Sequence, residues 1–388
     1  MHLCVKPDIG LDRGVPLSFA PSDQGILPDR MIAALAADGA IRAHYPFAPG
    51  QVQPASLDLR LGAIAYRVRA SFLPGPGTTV AERIMDLKLH EFSLAGGAVL
   101  ETGCVYIVPL IERLSLPADI AAATNPKSST GRLDVFTRVI ADETRGFDRV
   151  AAGYSGPLYA EISPKTFPVL VREGTRLSQL RLHRGDAILN AEALRALHVS
   201  ERLVDRAEAV MGDGIAVSID LSGAGPTGHR NGQGIVGYRA KRHTAVIEVD
   251  RRDAYDVADF WEPIAARVDK SLILDPDEFY ILASTEAVQV PPDYAAEMVP
   301  FDPLVGEFRV HYAGFFDPGF GYAGSGGLGS RAVLEVRSRE VPFILEHGQI
   351  VGRLVYEKML ARPDQLYGSG IGSNYQAQGL KLSKHFRS

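Results

Sequence analysis

The chain has 388 residues, 46% hydrophobic and 22% charged, with a formal net charge of −5. That length suits about two domains of ordinary soluble composition, and the mild negative charge gives no electrostatic reason to expect nucleic acid as a partner. Two cysteines, Cys4 and Cys104, exclude a disulfide framework, and there is neither an 18-residue apolar run nor a charged-then-apolar leader, so a soluble, cytoplasmic protein with no membrane partner is expected.

Along the chain, PDRMIAALAADGAI (Pro28 to Ile41) reads as a helix, with proline in the first turn and glycine near the end. Short apolar or alternating runs follow: SLDLRLG, CVYIVPL and PLYAEIS, then AVIEVD, FYILAS and AVLEVRS. The 39 glycines and 25 prolines punctuate them, so the fold is expected to be mainly β with a few helices. NAEALRALHVSERLVDRAEAVMGDG (Asn190 to Gly214) is charged, amphipathic and stopped by glycine, which predicts a second helix; DRRDAYDVADFWEPIAARV carries a third helical pattern.

The chain also repeats itself. A constant shift of 174 residues aligns LETGCVYIVPLIERLSLPADIAA with LDPDEFYILASTEAVQVPPDYAA and carries Glu161 onto Glu335, Pro168 onto Pro342, Gly174 onto Gly348 and Leu180 onto Leu354. At a shift of 172, GAIAYRVRA resembles QGIVGYRAK. Two homologous β domains are therefore expected, residues 1–189 and 213–388, with a helical connector over 190–212.

The halves differ where chemistry is expected. NPKSSTGRLD (Asn125 to Asp134) offers the cations Lys127 and Arg132 and the hydroxyls of Ser128 and Ser129, with Gly131 permitting close backbone approach to an anion. A polar surface turn is the plain alternative. At the aligned positions the second half has Phe301, Asp302, Pro303 and Gly306, none of which donates a charge-assisted hydrogen bond from its side chain. In GYSGPLYAEI, alternation puts Leu158 and Ala160 on one strand face and Tyr159 and Glu161 on the other. A carboxylate on such a strand is a candidate proton shuttle, or else a solvent-facing glutamate. Glu335 stands at the same register in RAVLEV. The tail LYGSGIGSNYQAQGLKLSKHF has the composition of a closing arm or of a frayed terminus. No phosphate-loop motif is present, the glycine-rich GFGYAGSGGLG precedes a strand, and no P-C-x-x-C or helical histidine pair occurs.

In order, PASLDLRLG, LPADIAAATNPKSSTGRL, GYSGPLYAEI and FPVLVREGTRLSQLRL resemble the motifs of the dCTP deaminase family, within the trimeric dUTPase-like superfamily. In the second half, FFDPGFG, RAVLEV, VPFILEHGQIVGRLVYE and NYQAQGLKLSKHF resemble its later motifs and closing tail, as in a double-length member. The resemblance implies two tandem distorted jelly rolls, dCTP as substrate, trimeric association of domains in a homo-oligomer, and zinc-independent attack of water on cytosine C4. It implies no metal held by protein side chains, Mg²⁺ arriving on the triphosphate. It gives the general base to the position of Glu161 and Glu335, water positioning to Ser128 and Arg132, and phosphate contacts to Lys127, Ser128 and Ser129. Asp317 and the tail residues Tyr367, Tyr375, Gln378 and Lys381 would bind nucleotide. Lys127 stands where the family commonly has arginine, and Asn374 where lysine is usual. The Asp317-Pro318-Gly319 hairpin has only Glu143-Thr144-Arg145 as its counterpart.

Two site models follow. In one, Ser128 and Arg132 face Glu161 of another copy in a ring of first halves. In the other, the first half's loop joins Glu335, Asp317 and the tail of a second half. Rival functions are a dUTP diphosphatase, a bifunctional deaminase and diphosphatase, and a catalytically silent nucleotide-binding regulator.

Overall fold

Alternating segments bounded by glycine and proline become strands throughout the computed structural model, which describes residue 20 and residues 22–206, 209–223, 234–300, 308–311, 314–325, 329–338, 340–368 and 379–387. In the first half, one sheet runs in the order Arg149–Val150, Ile120–Pro126, Arg176–Arg184, Ser56–Arg60, Val52–Gln53. The other runs Val135–Ala141, Ser155–Pro164, Val105–Ser115, Ile64–Val68, Lys88–Ser93. The second half gives Phe315–Phe316, Tyr294–Pro300, Ile350–Lys358, Gly214–Ser218, Met211–Gly212, and then Phe308–His311, Ser330–Ser338, Phe279–Val288, Ile235–Ala240, Trp261–Ala265. The two orders correspond along these five-strand paths; each first-half sheet also carries a sixth strand, Gly25–Ile26 beside Arg176–Arg184 and Ile41–Arg42 beside Val105–Ser115. The architecture is the mainly β one expected, and the alternation of Leu158 to Glu161 holds, since Leu158 and Ala160 enter the first core while Tyr159 packs on the opposite face.

Helices are short. Asp29–Ala37 forms as expected, burying Ile32 and Leu35. The Asn190–Gly214 segment does not form one helix. Asn190 caps it by accepting from Ala193 N–H, but it ends at Glu201, where Arg202 turns left-handed (φ 46°). Leu203 and Val204 then enter the second core, and apolar burial there overrides the charged amphipathic pattern. Of the third pattern only Val257–Phe260 is helical, after which Trp261–Ala265 is strand. A helix outside the three expected patterns, Val80–Leu87, opens on a capping box in which Thr79 accepts from Glu82 N–H and Glu82 reaches back to Thr79. Among the described residues no helix is long and apolar enough to cross a membrane.

The cores do not follow chain order. Leu57, Leu59, Val108, Ile162 and Leu180 of the first half share one apolar cluster with Ile247, Phe260, Trp261, Phe279, Leu382 and Phe386. The tail is held there by ring contacts: Phe386 lies 5.4 Å from Phe260 and 5.9 Å from Trp261. Phe167 of the first half meets Trp261 at 5.4 Å. In addition, Val169–Leu170 pairs in parallel with Ile247–Glu248. The second cluster gathers Leu194, Ile215, Leu282, Leu334, Leu354 and Tyr356. Each large side chain so buried is worth about 1.5–3 kcal/mol, so the tail and residues 247–261 are built into the first half.

Candidate active site

The expected anion loop is a single tight turn. Strand Ile120–Pro126 ends at proline, and Ser128–Gly131 coils once, with the carbonyl of Lys127 accepting N–H bonds from Thr130 (2.8 Å) and Gly131 (3.0 Å). Thr130 Oγ1 and Lys127 N both donate to the carbonyl of Leu177 at 2.9 Å, which fixes the turn to the neighbouring strand. The left-handed residue is Asp134 (φ 54°), not Gly131. The turn needs the reversal where the chain leaves it, and Asp134 is held there by Thr166 Oγ1 at 2.6 Å and by Arg337 of the second half.

The second half also supplies what the loop faces. Arg132 Nε lies 3.8 Å from Glu335 Oε1, both side chains nearly sealed from water. The Glu335 carboxyl is pushed up to about 8 because burial strips it of solvent, an effect that Arg132 opposes without cancelling. Ser128 Oγ would lie 4.0 Å from a Cβ built at Gly314, just before the Phe315–Asp317 segment. Asp317 is buried 3.4 Å from Arg181 Nη2; burial raises its pKa, against the pull of Arg181 and of Lys127.

Arg181 joins the two halves. It donates to Ala296 O (3.0 Å), Glu357 (2.8 Å) and Phe316 O (3.3 Å) and stacks 4.0 Å from the Phe315 ring centroid. Asn125 Nδ2 adds a bond to Glu297 at 2.9 Å.

Cations collect on the other side of the turn. Lys127 pairs with buried Asp58, which Arg176 also approaches at 3.5 Å. Lys384 of the tail is pushed down to about 8, first by burial and then by the charges of Lys127 and Arg252. Ser383 Oγ donates to the carbonyl of Ser129 at 2.8 Å, and Arg132 Nη1 donates to that of Lys381 at 3.0 Å, so Lys381 meets the site through its backbone while its side chain is exposed. Tyr367 packs beside Phe320 at 5.7 Å and bonds Pro318 O through its N–H at 2.8 Å. Tyr375, Gln378 and Asn374, like Phe301 to Gly306, lie outside the described residues.

Glu161 belongs to a different cluster. Its Oε1 accepts from Arg138 Nη2 (2.6 Å) and Nε (3.1 Å), and the Arg138 guanidinium lies over the Phe147 ring at 3.4 Å and bonds Ser71 Oγ at 3.0 Å. Asp148 nearby is pushed up to about 6 by burial. The structure thus brings Lys127, Ser128, Ser129, Arg132, Glu335 and Asp317 together and leaves Glu161 apart. Asp58, Arg138, Arg252, Ser383 and His385 were not singled out from sequence. Only their packing marks them, apart from Arg138, which strand register places opposite Glu161. Among the described residues no three His, Cys, Asp or Glu side chains group as metal ligands.

Comparison with known proteins bears on this arrangement. The model of the 2'-deoxycytidine 5'-triphosphate deaminase (DCD) N-terminal domain matches residues 23–186, and that of the C-terminal domain matches residues 190–386. A crystal structure of 2'-deoxycytidine 5'-triphosphate deaminase from Agrobacterium tumefaciens is 64% identical with a TM-score of 0.82, over 87% of this chain and 99% of that one. A dCTP deaminase of Halorubrum lacusprofundi is 34% identical over 133 residues, 34% of this chain, which spans only 62% of that relative's length. A dUMP-forming dCTP deaminase of Methanoculleus marisnigri is 33% identical over 146 residues, 36% of this chain and 71% of the relative. With both of its domain models matched in order, the chain belongs to the 2'-deoxycytidine 5'-triphosphate deaminase family.

Proposed function

We propose that the chain deaminates dCTP, taken up with Mg²⁺ on its triphosphate, to dUTP and ammonia at the composite site between the halves. The observation that carries this reading is Arg132 of the first half beside a buried Glu335 of the second, whose pKa burial raises. Ser128 and Arg132 position the water, Lys127, Ser129 and Lys384 take the triphosphate, and Asp317 and Tyr367 line the nucleotide side. Tyr375, Gln378 and Lys381 are assigned there by resemblance.

The proton balance closes on one carboxyl. Glu335 gives its proton to cytosine N3, and the resulting carboxylate takes a proton from water as hydroxide adds to C4. That proton passes to the C4 amine, which leaves as ammonia, and Glu335 recovers one from the C4 hydroxyl as the carbonyl forms. Arg132 lowers the cost of the transient carboxylate. No step draws on zinc. In this reading residues 1–189 and 213–388 are two domains of one ancestral kind, assembled in a cytoplasmic homo-oligomer.

Incubation with MgdCTP, with ammonia assay and nucleotide chromatography, tests the reading; turnover should survive removal of transition metals when Mg²⁺ is restored. Loss of turnover on removing zinc overturns the mechanism. A bifunctional enzyme is the second reading, favoured by relatives named dUMP-forming; dUMP and pyrophosphate among the products would establish it.

A further inference from the structure

We propose that His385 is a positioning residue that holds the anion loop through Ser383 and takes up a proton when a polyanionic nucleotide binds. The nature of the polyanion rests on the deaminase reading above; the proton linkage does not.

The hydrogen atoms around His385 can be counted. Ser383 Oγ lies 2.8 Å from the carbonyl of Ser129 and 2.9 Å from His385 Nδ1, and His385 Nε2 lies 2.8 Å from the carbonyl of Val249. Both side chains are fully buried, and the carbonyl of His385 is itself fixed by N–H bonds from Ala254 (2.9 Å) and Tyr255 (3.1 Å). Carbonyls only accept. The serine proton therefore goes to Ser129, so Nδ1 must donate to Oγ, while Nε2 must donate to Val249. Both bonds form together only in the imidazolium. A neutral ring satisfies two of the three contacts and leaves a buried acceptor unpaired, either at Ser129 or at Val249.

The surroundings oppose that cation when no anion is present. Burial pushes His385 down to about 4, and Lys384 and Arg252 push the same way, against the Val249 carbonyl. Lys127 stands next to Lys384, with Asp58 and Asp250 the nearby carboxylates. Asp58 is engaged by Lys127 and Arg176, and Asp250 by Thr175 Oγ1 at 2.7 Å. The geometry asks for a proton that the local charge discourages. A polyphosphate lying on Lys127, Lys384 and Arg252 removes the objection, and protonation then completes the clamp from Val249 through Ser383 to the Ser129 carbonyl. By reciprocity, proton and polyanion strengthen one another's binding. A neutral histidine merely filling a core has no such linkage.

The test is calorimetry of inorganic tripolyphosphate with Mg²⁺ binding to the full chain at pH 6.5, in buffers of different ionisation enthalpy. Wild type should take up a measurable fraction of a proton more than His385→Asn. Ser383→Ala, which removes the Nδ1 acceptor, should lose the same excess, and it keeps the test alive if the first variant fails to fold. Ser383→Ala should also raise KM for dCTP about tenfold while kcat changes much less, as expected for one lost hydrogen bond. Equal proton counts in wild type and variants, or no tripolyphosphate binding, overturn the proposal. Proton uptake without dCTP turnover supports this linkage and sinks the deaminase reading; turnover with equal proton counts does the reverse.

Discussion

Arg132 and Glu335 come from different halves of the chain, yet Nε and Oε1 approach to 3.8 Å in a place almost closed to water. Glu161, one repeat earlier, is instead neutralised by Arg138 of its own half at 2.6 Å. The two glutamates share a strand register and differ in partner, so their substitutions should separate cleanly. Glu335→Gln is expected to lower ammonia release by about 10²–10⁴-fold, the usual yield of a positioned acid-base group. Glu161→Gln should leave kcat within a few-fold and lower thermal stability, because it strips Arg138 of its carboxylate. Loss of activity in Glu161→Gln alone would reject the composite site.

Glu335 also predicts a pH signature in stability. Its pKa in the folded chain, about 8, lies above its ordinary 4.5. The folded state therefore binds the proton more tightly than the unfolded one. This contribution is complete below pH 4.5 and is lost as pH rises through 8. Thermal melts of wild type and Glu335→Gln should nearly coincide near pH 4.5, with the variant gaining relative stability towards pH 8. Parallel melting curves across that range would contradict the buried, protonated carboxyl.

Arg181 is a buried cation of the seam, held by Glu357, Asp317, two carbonyls and the Phe315 ring. Arg181→Met keeps most of the volume but leaves two carboxylates without their partner. The expected loss is about 3–5 kcal/mol in denaturant unfolding. A loss under about 1 kcal/mol would mean that the seam does not depend on this ion-pair network.

Lys127 is held by Asp58. Lys127→Ala should raise KM for dCTP by at least about tenfold, the value of one charge-assisted hydrogen bond, with a smaller effect on kcat. Unchanged KM would remove this lysine from the triphosphate site.

Much of this was legible before folding. Alternation located the strands around Glu161 and Glu335, and the 174-residue shift anticipated matching sheet orders. The polar turn beyond Pro126 was visible as residue types in Asn125 to Asp134. The helix at Val80 went unread although Thr79 and Glu82 stand at capping-box spacing, because its apolar stripe, Val80 and Ile84, is short. Periodicity overran the helix after Asn190, since a local pattern holds no record that Leu203 and Val204 are claimed by a distant core. The pairing of Arg132 with Glu335 was open between two models because side-chain alternation says which face a residue takes and nothing of what packs on it. Ser383 and His385 looked like an ordinary polar tail for the same reason.

Phe386 sits in the apolar cluster built on Leu57 and Val108. During synthesis, therefore, the half that emerges first from the ribosome waits for nearly the whole of the chain before its interior can close. The loop at Ser129 acquires its Ser383 contact at the same late moment. A nascent fragment holding only the first half lacks both Phe386 in its interior and Ser383 at the Ser129 carbonyl, so the apolar cluster and the turn beside it are completed together, once residues 383–386 have emerged.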